Sequence, residues 1–207
     1  SRGLGDVYKR QHEKGCTYTA LSLIAGELKA QGIETEILHV GGQPVGGCIG
    51  CGGCRSGNGC VFGGVVNEAI EKAKTADAFV FGSPVHYASA AGNMASFMDR
   101  LAYAGGKYLA YKPAAVCCSA RRAGTTSTLD QLVKYPQFFH MPLVNGSYWA
   151  MVHGSNPEQV LQDAEGCAVM QELGRNMAWL LRCIEAGKAA GIDHPQNPPR
   201  PMTSFIR

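Results

Sequence analysis

The sequence predicts an α/β protein built on a doubly wound parallel sheet. Short apolar runs that suit buried strands alternate with longer segments in which apolar residues recur at helical spacing. The 207 residues, 45% of them hydrophobic and 17% charged, suffice for one domain with an ordinary core. Strands that alternate with helices pair in parallel, and ligands bind beyond the carboxyl ends of such strands. We therefore expect function to lie in the loops at that edge.

The first half of the chain supplies helices and strands in alternation. Leu21, Ile24 and Leu28 recur at helical spacing, and Thr17 is a plausible N-cap for that helix. The run Ala78-Phe79-Val80-Phe81 is apolar throughout, which suits a strand buried on both faces. The predicted helices lie near residues 17–31, 65–76 and 94–101, and the predicted strands at 33–40 and 78–81.

The second half continues the alternation. Residues 114–118 form another apolar run, and a further strand is predicted to begin at Leu143-Val144. A helix at 126–139 is expected to bend at Pro136. A long helical stretch at 157–190, weakened at Gly166 and Gly174, precedes an irregular Pro-rich tail.

Four cysteines stand close together in the glycine-rich segment 41–64, at Cys48, Cys51, Cys54 and Cys60. The spacing C-x2-C-x2-C-x5-C lets one backbone wrap around a soft metal centre. Its first three members match the run that holds an iron–sulfur cluster in bacterial ferredoxins. Structural zinc sites more often use two C-x2-C pairs separated by a longer loop. The spacing favours a cluster, with redox-active or structural thiols and zinc as the alternatives.

Composition and charge bound the partners. The formal net charge of +3 is spread along the chain, so nothing indicates a nucleic-acid partner. No apolar run approaches the roughly 18 residues of a membrane span, and no secretory leader is recognisable. Nine cysteines are an odd number, which argues against a secreted disulfide framework. We expect a cytoplasmic protein with no nucleic-acid or membrane partner.

Three loops at the expected carboxyl edge carry the candidate binding residues. The segment that ends at Thr17 brings backbone amides to a helix start, which suits a phosphate, although Thr17 could equally be a simple N-cap. Residues 82–89 form a turn against which a flat ring could rest, or a plain connection in which His86 has no catalytic role. The loop at 119–126 carries Arg121 and Arg122, which suit phosphate or carboxylate recognition or lie solvated on the surface.

Seven short strings together resemble a known family. They are Gly15-Cys16-Thr17-Tyr18-Thr19, Cys48-Ile49-Gly50-Cys51-Gly52-Gly53-Cys54, Gly82-Ser83-Pro84-Val85-His86-Tyr87, Gly92-Asn93-Met94, Phe97-Met98-Asp99-Arg100, Tyr148-Trp149 and Met151-Val152-His153-Gly154. In combination, over residues 12–207, they resemble the NAD(P)H-dependent FMN reductase family of flavodoxin-like proteins, and most closely its iron–sulfur flavoprotein branch.

The resemblance implies a five-stranded flavodoxin-like sheet in three layers, with the cysteine-rich loop inserted after the second strand. It also implies one FMN per chain, a [4Fe–4S] cluster on Cys48, Cys51, Cys54 and Cys60, and a homodimer or homotetramer. By matching position, the FMN phosphate would be held by Thr17 and Thr19. The flavin ring would pack along Pro84, Val85, His86 and Tyr87. The third side of the FMN site would be closed by Ser119, Arg121, Gly124 and Thr125. The implied site also includes Tyr18, Ser89, Asn93 and Arg122. The flavin carries the chemistry, so no catalytic side chain is implied.

The implied activity is electron transfer from NAD(P)H or a ferredoxin-like donor to a small acceptor, either through the cluster or directly from the nicotinamide. Two other classes stay open. One is an electron-transfer flavoprotein with no dedicated small-molecule substrate, and the other is a zinc or thiol binding module without flavin.

The chain departs from the family at its start. Family members begin with an apolar strand that leads into a Gly-Ser-Pro turn, whereas residues 1–11 read SRGLGDVYKRQ. Residues 6–11 resemble one translated frame of a transposase sequencing adapter, so we expect residues 1–11 to be a non-native segment. The flavodoxin-like domain is then expected to span residues 12–194, without the middle strand of its sheet, and residues 195–207 to form the tail.

Overall fold

A computed structural model describes residues 2–8 and 14–203 of the chain. In chain order the elements are β1 (Arg2–Tyr8), α1 (Cys16–Ala30), β2 (Glu34–His39), α2 (Val65–Thr75), β3 (Phe79–His86), β4 (Ser89–Ala90), α3 (Gly92–Gly105), β5 (Ala114–Ala120), α4 (Thr125–Phe138), β6 (Met151–His153), α5 (Pro157–Val160) and α6 (Ala164–Ala189). None of the helices in these described ranges combines the length and apolar character that crossing a membrane requires.

The strands form a mostly parallel sheet in the order β2-β1-β3-β5-β6. The short strand β4 lies off this path and pairs antiparallel with the end of β3. Strand order reverses between β1 and β3, which is where doubly wound sheets bind their ligands. The α/β class with a parallel sheet, predicted from the alternation of strands and helices, is confirmed.

Helices cover both faces of the sheet. Phe79 and Phe81 of β3 pack with α2 and α3 on one face, whereas Val80 packs with α1 and α6 on the other. All three side chains are buried, so the prediction of a strand buried on both faces is confirmed. The long helix α6 lies close against α1, since a Cβ on Gly174 would stand 2.8 Å from the carbonyl oxygen of Ile24. Gly174 therefore permits close helix packing and does not interrupt α6.

The structure corrects the expectation that the sheet lacks its middle strand. Residues Arg2–Tyr8 lie between β2 and β3 as β1 and pair in parallel with both neighbours. A backbone without proline can supply ladder hydrogen bonds whatever its side chains are. The pairing is nevertheless irregular, because the register against β2 shifts between Leu4 and Val7. The origin of residues 1–11 stays a prediction, and residues 9–13 lie outside the described ranges.

Four local predictions also need correction. The N-cap of α1 is Gly15 and not Thr17, which lies inside the helix. Leu143 forms only an isolated bridge to Ala114, and the last strand is β6, eight residues farther along. The predicted turn at 82–89 is largely the extended end of β3 and its hairpin to β4. The helical stretch 157–190 is two helices that separate at Leu161, before α6 begins, and not at Gly166 or Gly174.

Candidate functional site

The carboxyl ends of β3 and β5 meet the start of α1 at one edge of the sheet. Thr17 and Ser119 are buried, and their hydroxyl oxygens lie 2.6 Å apart. Pro84 is the register partner of Ser119 on the neighbouring strand. Three residues predicted to contact FMN from separate loops are therefore brought together at the predicted edge.

The start of α1 has backbone amides without partners inside the helix and no acidic residue in its own first turn. Its N-cap, Gly15, has no side chain to accept a hydrogen bond, and no acidic residue lies in the first turn. The first amides of a helix lack partners within it, and the helix dipole favours an anion there. The Thr19 hydroxyl donates to the Gly15 carbonyl oxygen at 3.1 Å, and Tyr18 is half-buried. This helix start fits a phosphate group through its backbone amides.

Cys16 links the same helix start to the loop after β6. Its thiol donates to the carbonyl oxygen of Gly154 at 3.5 Å, and the amide of Gly154 donates to the carbonyl oxygen of Ala120 at the end of β5. Burial is the largest cause that raises the pKa of the Cys16 thiol. A thiol that stays protonated serves here as a small packing group.

The hairpin between β3 and β4 is strained. Its two turn residues, Tyr87 and Ala88, have φ angles of +50° and +58°, in the left-handed region that disfavours side chains with a Cβ. Tyr87 is fully exposed at the tip. Gly124 lies against this hairpin at φ +93°, and a Cβ there would stand 2.7 Å from the Cα of Ala88. The loops predicted to flank the flavin ring are thus in direct contact.

The other predicted flavin residues fall into two groups. Val85 lies beside Gly124, Thr125 is buried at the start of α4, and Ser89 donates from its hydroxyl to the Gln131 side-chain oxygen at 2.7 Å. Asn93 donates to the carbonyl oxygen of Gln43 at 3.1 Å, which ties α3 to the cysteine segment. The second group is exposed at the surface: His86, Arg121 and Arg122.

The four cysteines of segment 41–64 line one cavity of about 200 Å³. Cys48 and Cys51 are exposed, whereas Cys54 and Cys60 are partly buried. No group of three or more His, Cys, Asp or Glu side chains within residues 14–203 is arranged to hold a single metal ion. Tetrahedral zinc would draw four sulfurs to about 2.3 Å from one point. A [4Fe–4S] cluster would likewise take all four sulfurs as its ligands. The structure shows four cysteines around one cavity and no assembled metal site among the described residues.

Arg100 reaches into the wall of this cavity from α3. Its side chain is buried, and its Nε–H donates to the Cys60 sulfur at 3.3 Å. Its two terminal nitrogens donate to the carbonyl oxygens of Gly46 and Gly63 at 3.4 Å and 3.1 Å. One guanidinium group therefore holds both ends of the cysteine segment.

Three residues near these sites were not predicted to have a role in them. Gln131 accepts hydrogen bonds from both Ser89 and the amide of Ala90, and Asn67 binds the Cys60 backbone. Both are ordinary polar residues on helices, and no local signal distinguishes them. The sequence contains one indication for Arg100, because it stands next to the apolar residues Met98 and Leu101 of α3. Charged residues are rarely buried unless they have a partner, so a charged residue in this stretch suggests a specific contact.

The chain is similar in sequence to iron–sulfur flavoproteins and similar in fold to flavodoxins. The chain is 28% identical over 174 residues to an iron–sulfur flavoprotein of Methanocaldococcus jannaschii, which covers 80% of this chain and 88% of that protein. It is 22% identical over 165 residues to an iron–sulfur flavoprotein of Methanosarcina thermophila, with coverages of 77% and 85%. A flavodoxin from the domain Archaea matches in structure with a TM-score of 0.59 at 12% identity, over 88% of this chain and 99% of that one.

The fold and its edge loops define a flavodoxin-like α/β protein. Residues 10–156 match the family described as NADPH-dependent FMN reductase, and the chain belongs to that family. The resemblance found from the seven strings is confirmed, both for the family and for its iron–sulfur flavoprotein branch. The protein is accordingly an FMN-dependent oxidoreductase.

Proposed function

We propose that the protein moves electrons from NAD(P)H or a ferredoxin-like donor to a small acceptor, with FMN at the carboxyl edge and a [4Fe–4S] cluster in the cysteine cavity. The observation that carries the flavin site is the convergence of α1, β3 and β5 around the Thr17–Ser119 contact. FMN supplies the hydride and electron chemistry when bound. The chain supplies backbone amides, cationic side chains and the loops at the carboxyl edge of the sheet that form the binding site.

The proposed roles follow the position of each residue. The backbone amides of the first turn of α1, which carries Thr17, Tyr18 and Thr19, bind the phosphate. The end of β3 and its hairpin, with Ser89 and Asn93, support the ring. The third side is closed by Ser119, Arg121, Arg122, Gly124 and Thr125. The exposed guanidinium groups of Arg121 and Arg122 have no recorded partner among the described residues, so they are available to an anionic ligand.

The cluster proposal rests on charge as well as on cysteine spacing. Arg100 is 6% exposed, and no carboxylate pairs with it in the described part of the chain. A buried cation without a counterion costs several kcal/mol, roughly, unless negative charge lies nearby. Four cysteine thiolates around an iron–sulfur centre provide that charge, and neutral thiols do not. Zinc is the less favoured alternative because the spacing C-x2-C-x2-C-x5-C differs from the two separated C-x2-C pairs of structural zinc sites.

Iron and sulfide analysis of protein purified without oxygen tests the cluster. C54A should lose iron and sulfide and keep most of its flavin, because Cys54 lines the cavity and lies outside the flavin edge. C183A is the matched control, since Cys183 is an exposed thiol on α6, away from the cysteine cavity. Wild-type protein that retains neither iron nor sulfide after anaerobic reconstitution would contradict the cluster and leave the direct nicotinamide route.

Ligand discrimination tests the flavin site. The double variant T17V/T19V should weaken FMN binding more than riboflavin binding, because only FMN carries the phosphate. The matched control T17S/T19S keeps both hydroxyl groups and should keep the preference. Equal losses for both ligands in the first variant would contradict the phosphate assignment.

The electron donor and the assembly need separate tests. Steady-state NADH and NADPH oxidation with a soluble acceptor, compared with reduction by a ferredoxin-like donor alone, distinguishes a reductase from an electron-transfer module. We propose a homodimer or homotetramer, which sedimentation at several concentrations would test. We also propose the cytoplasm as the compartment, supported by nine cysteines that are all free of disulfides.

A further inference from the structure

Cys60 differs from the other three cysteines of the cavity in how firmly it is held. Its amide donates to the side-chain oxygen of Asn67 at 2.8 Å, and the Asn67 side-chain nitrogen donates to the Cys60 carbonyl oxygen at 3.0 Å. Its sulfur accepts from Arg100. Within the described residues, the sulfurs of Cys48, Cys51 and Cys54 have no recorded hydrogen bond. Cys60 is therefore fixed by two helices, α2 at its backbone and α3 at its sulfur.

Arg100 can donate a hydrogen bond to a cysteine thiolate and still have N–H groups available for a further negatively charged group. A guanidinium group has five N–H donors, and three contacts are recorded, to Cys60, Gly46 and Gly63. The centroid of the Phe62 ring lies 5.5 Å from the guanidinium carbon, and Phe62 lines the same cavity with 55% of its surface exposed. The guanidinium charge does not titrate in proteins. A permanent, buried cation thus lies between the Cys60 sulfur and an aromatic ring.

We propose that Arg100 is the residue that positions Cys60 as a cluster ligand and raises the reduction potential of the cluster. This inference rests on the cluster of the proposed function. One-electron reduction adds one negative charge to the four-cysteine centre. A buried cation that also donates N–H to a ligand sulfur stabilises the more negative state, because charge and hydrogen bonds at the sulfurs set such potentials.

Three variants distinguish the effect of a positive charge at the Cys60 sulfur from the effect of a positive charge elsewhere in the cavity and from the effect of a less rigid Cys60 backbone. R100Q removes the buried cation. R55Q removes an exposed cation that lines the same cavity and makes no recorded hydrogen bond to a cysteine. N67A releases the Cys60 backbone and changes no charge. Each protein is reconstituted without oxygen and titrated with dithionite through redox mediators, while the reduced cluster is counted by electron paramagnetic resonance.

R100Q should lower the ratio of reduced to oxidised cluster at a fixed potential at least tenfold, which is about 59 mV for a one-electron couple. R55Q should change the ratio by roughly twofold or less, because solvent and salt screen an exposed charge. N67A should release iron to a chelator faster and keep the wild-type potential. If R100Q binds a full complement of cluster and its reduction potential differs from the wild-type value by no more than that of R55Q, the inference is overturned, although the proposed cluster still stands.

Two further outcomes remain decisive. Wild-type protein that binds no cluster would overturn the proposed cluster and this inference together, and so is distinct from a failure of Arg100 alone. If R100Q assembles no cluster, R100K provides the measurement, because lysine keeps the charge and cannot reach one sulfur and two carbonyl oxygens at once. R100K with wild-type potential and wild-type iron retention would contradict the role of Arg100. A lowered potential or faster iron release in R100K would support it.

Discussion

The hydroxyl groups of Thr17 and Ser119 meet at 2.6 Å in the interior, although the two residues are 102 positions apart in the chain. Neither is accessible enough to exchange this partner for bulk water. The contact fixes the start of α1 against the end of β5, the two elements that would hold the flavin phosphate and the third side of the site. Losing it should therefore affect stability and binding geometry together.

A double-mutant cycle measures this contact. T17V and S119A each remove one hydroxyl and should each destabilise the fold by about 1–3 kcal/mol, because the remaining hydroxyl is buried without its partner. The double variant should lose about 1 kcal/mol less unfolding free energy than the two single variants lose in sum, because it leaves no buried hydroxyl without a partner. Urea unfolding gives all three free energies. Strictly additive costs would mean that the two hydroxyl groups do not interact.

The hairpin tip offers a test of stored backbone strain. Ala88 has φ +58°, and glycine adopts this conformation without steric cost. A88G should raise the free energy of unfolding by about 1 kcal/mol, within the range for a relieved left-handed residue. Flavin affinity should fall or stay unchanged, because a more mobile hairpin must be ordered on binding.

The matched control for this change lies two residues away. Ala90 is buried in β4 and pairs with Val85 in the antiparallel bridge, so A90G should lower stability. If A88G destabilises the protein as much as A90G does, the positive φ at Ala88 carries no strain.

A buried thiol makes stability fall at alkaline pH. Burial raises the pKa of the Cys118 thiol from about 9 to about 12. Between these values the unfolded chain has lost a proton that the folded chain keeps, so stability is complete below pH 9 and declines as pH rises. The decline from this group is at most about 1.4 kcal/mol per pH unit.

C118A should make the dependence of unfolding free energy on pH shallower by up to this amount between pH 9 and 12. C183A is the matched control, because Cys183 is exposed and its removal takes away no buried thiol. Denaturant unfolding at several pH values provides the measurement. Parallel pH profiles for C118A and the wild type would show that Cys118 does not ionise on unfolding.

The sequence predicted the elements that have a strong local signal. The helical spacing in α1 and α3 placed those helices to within about four residues at each end. The apolar run placed the start of β3 to within one residue, whereas its last five residues were predicted as a turn. The N-cap was misplaced because Thr17 is a good capping residue by type, yet its hydroxyl is used by Ser119 in the interior. Strand β6 has three residues and was missed, since so short a run has no period to recognise.

The cysteine motif was visible in the sequence, whereas the residues that hold it were not. Asn67 and Arg100 lie 7 and 40 residues from Cys60, on two different helices. Only the packing of α2 and α3 on one face of the sheet brings them to the same sulfur and backbone. Such contacts depend on tertiary structure, and residue type alone does not reveal them.

The final prediction concerns residues 1–11. Phe79, Val80 and Phe81 of the adjoining strand are buried on both faces, so a neighbouring parallel strand should be almost continuously apolar. Residues 2–8 instead include Arg2, Asp6 and two glycines, and they pair with β3 at Leu4 and Gly5. Replacing residues 1–11 by an apolar strand that ends in Gly-Ser-Pro should raise soluble yield, unfolding free energy and FMN content together.

A scrambled apolar segment of the same composition, without the Gly-Ser-Pro ending, is the matched control and should recover stability better than FMN content, because the turn contributes to the phosphate site. If the chain as it stands equals the replaced one in solubility, cooperative unfolding and flavin content, residues 1–11 behave as a competent native strand and the non-native interpretation fails.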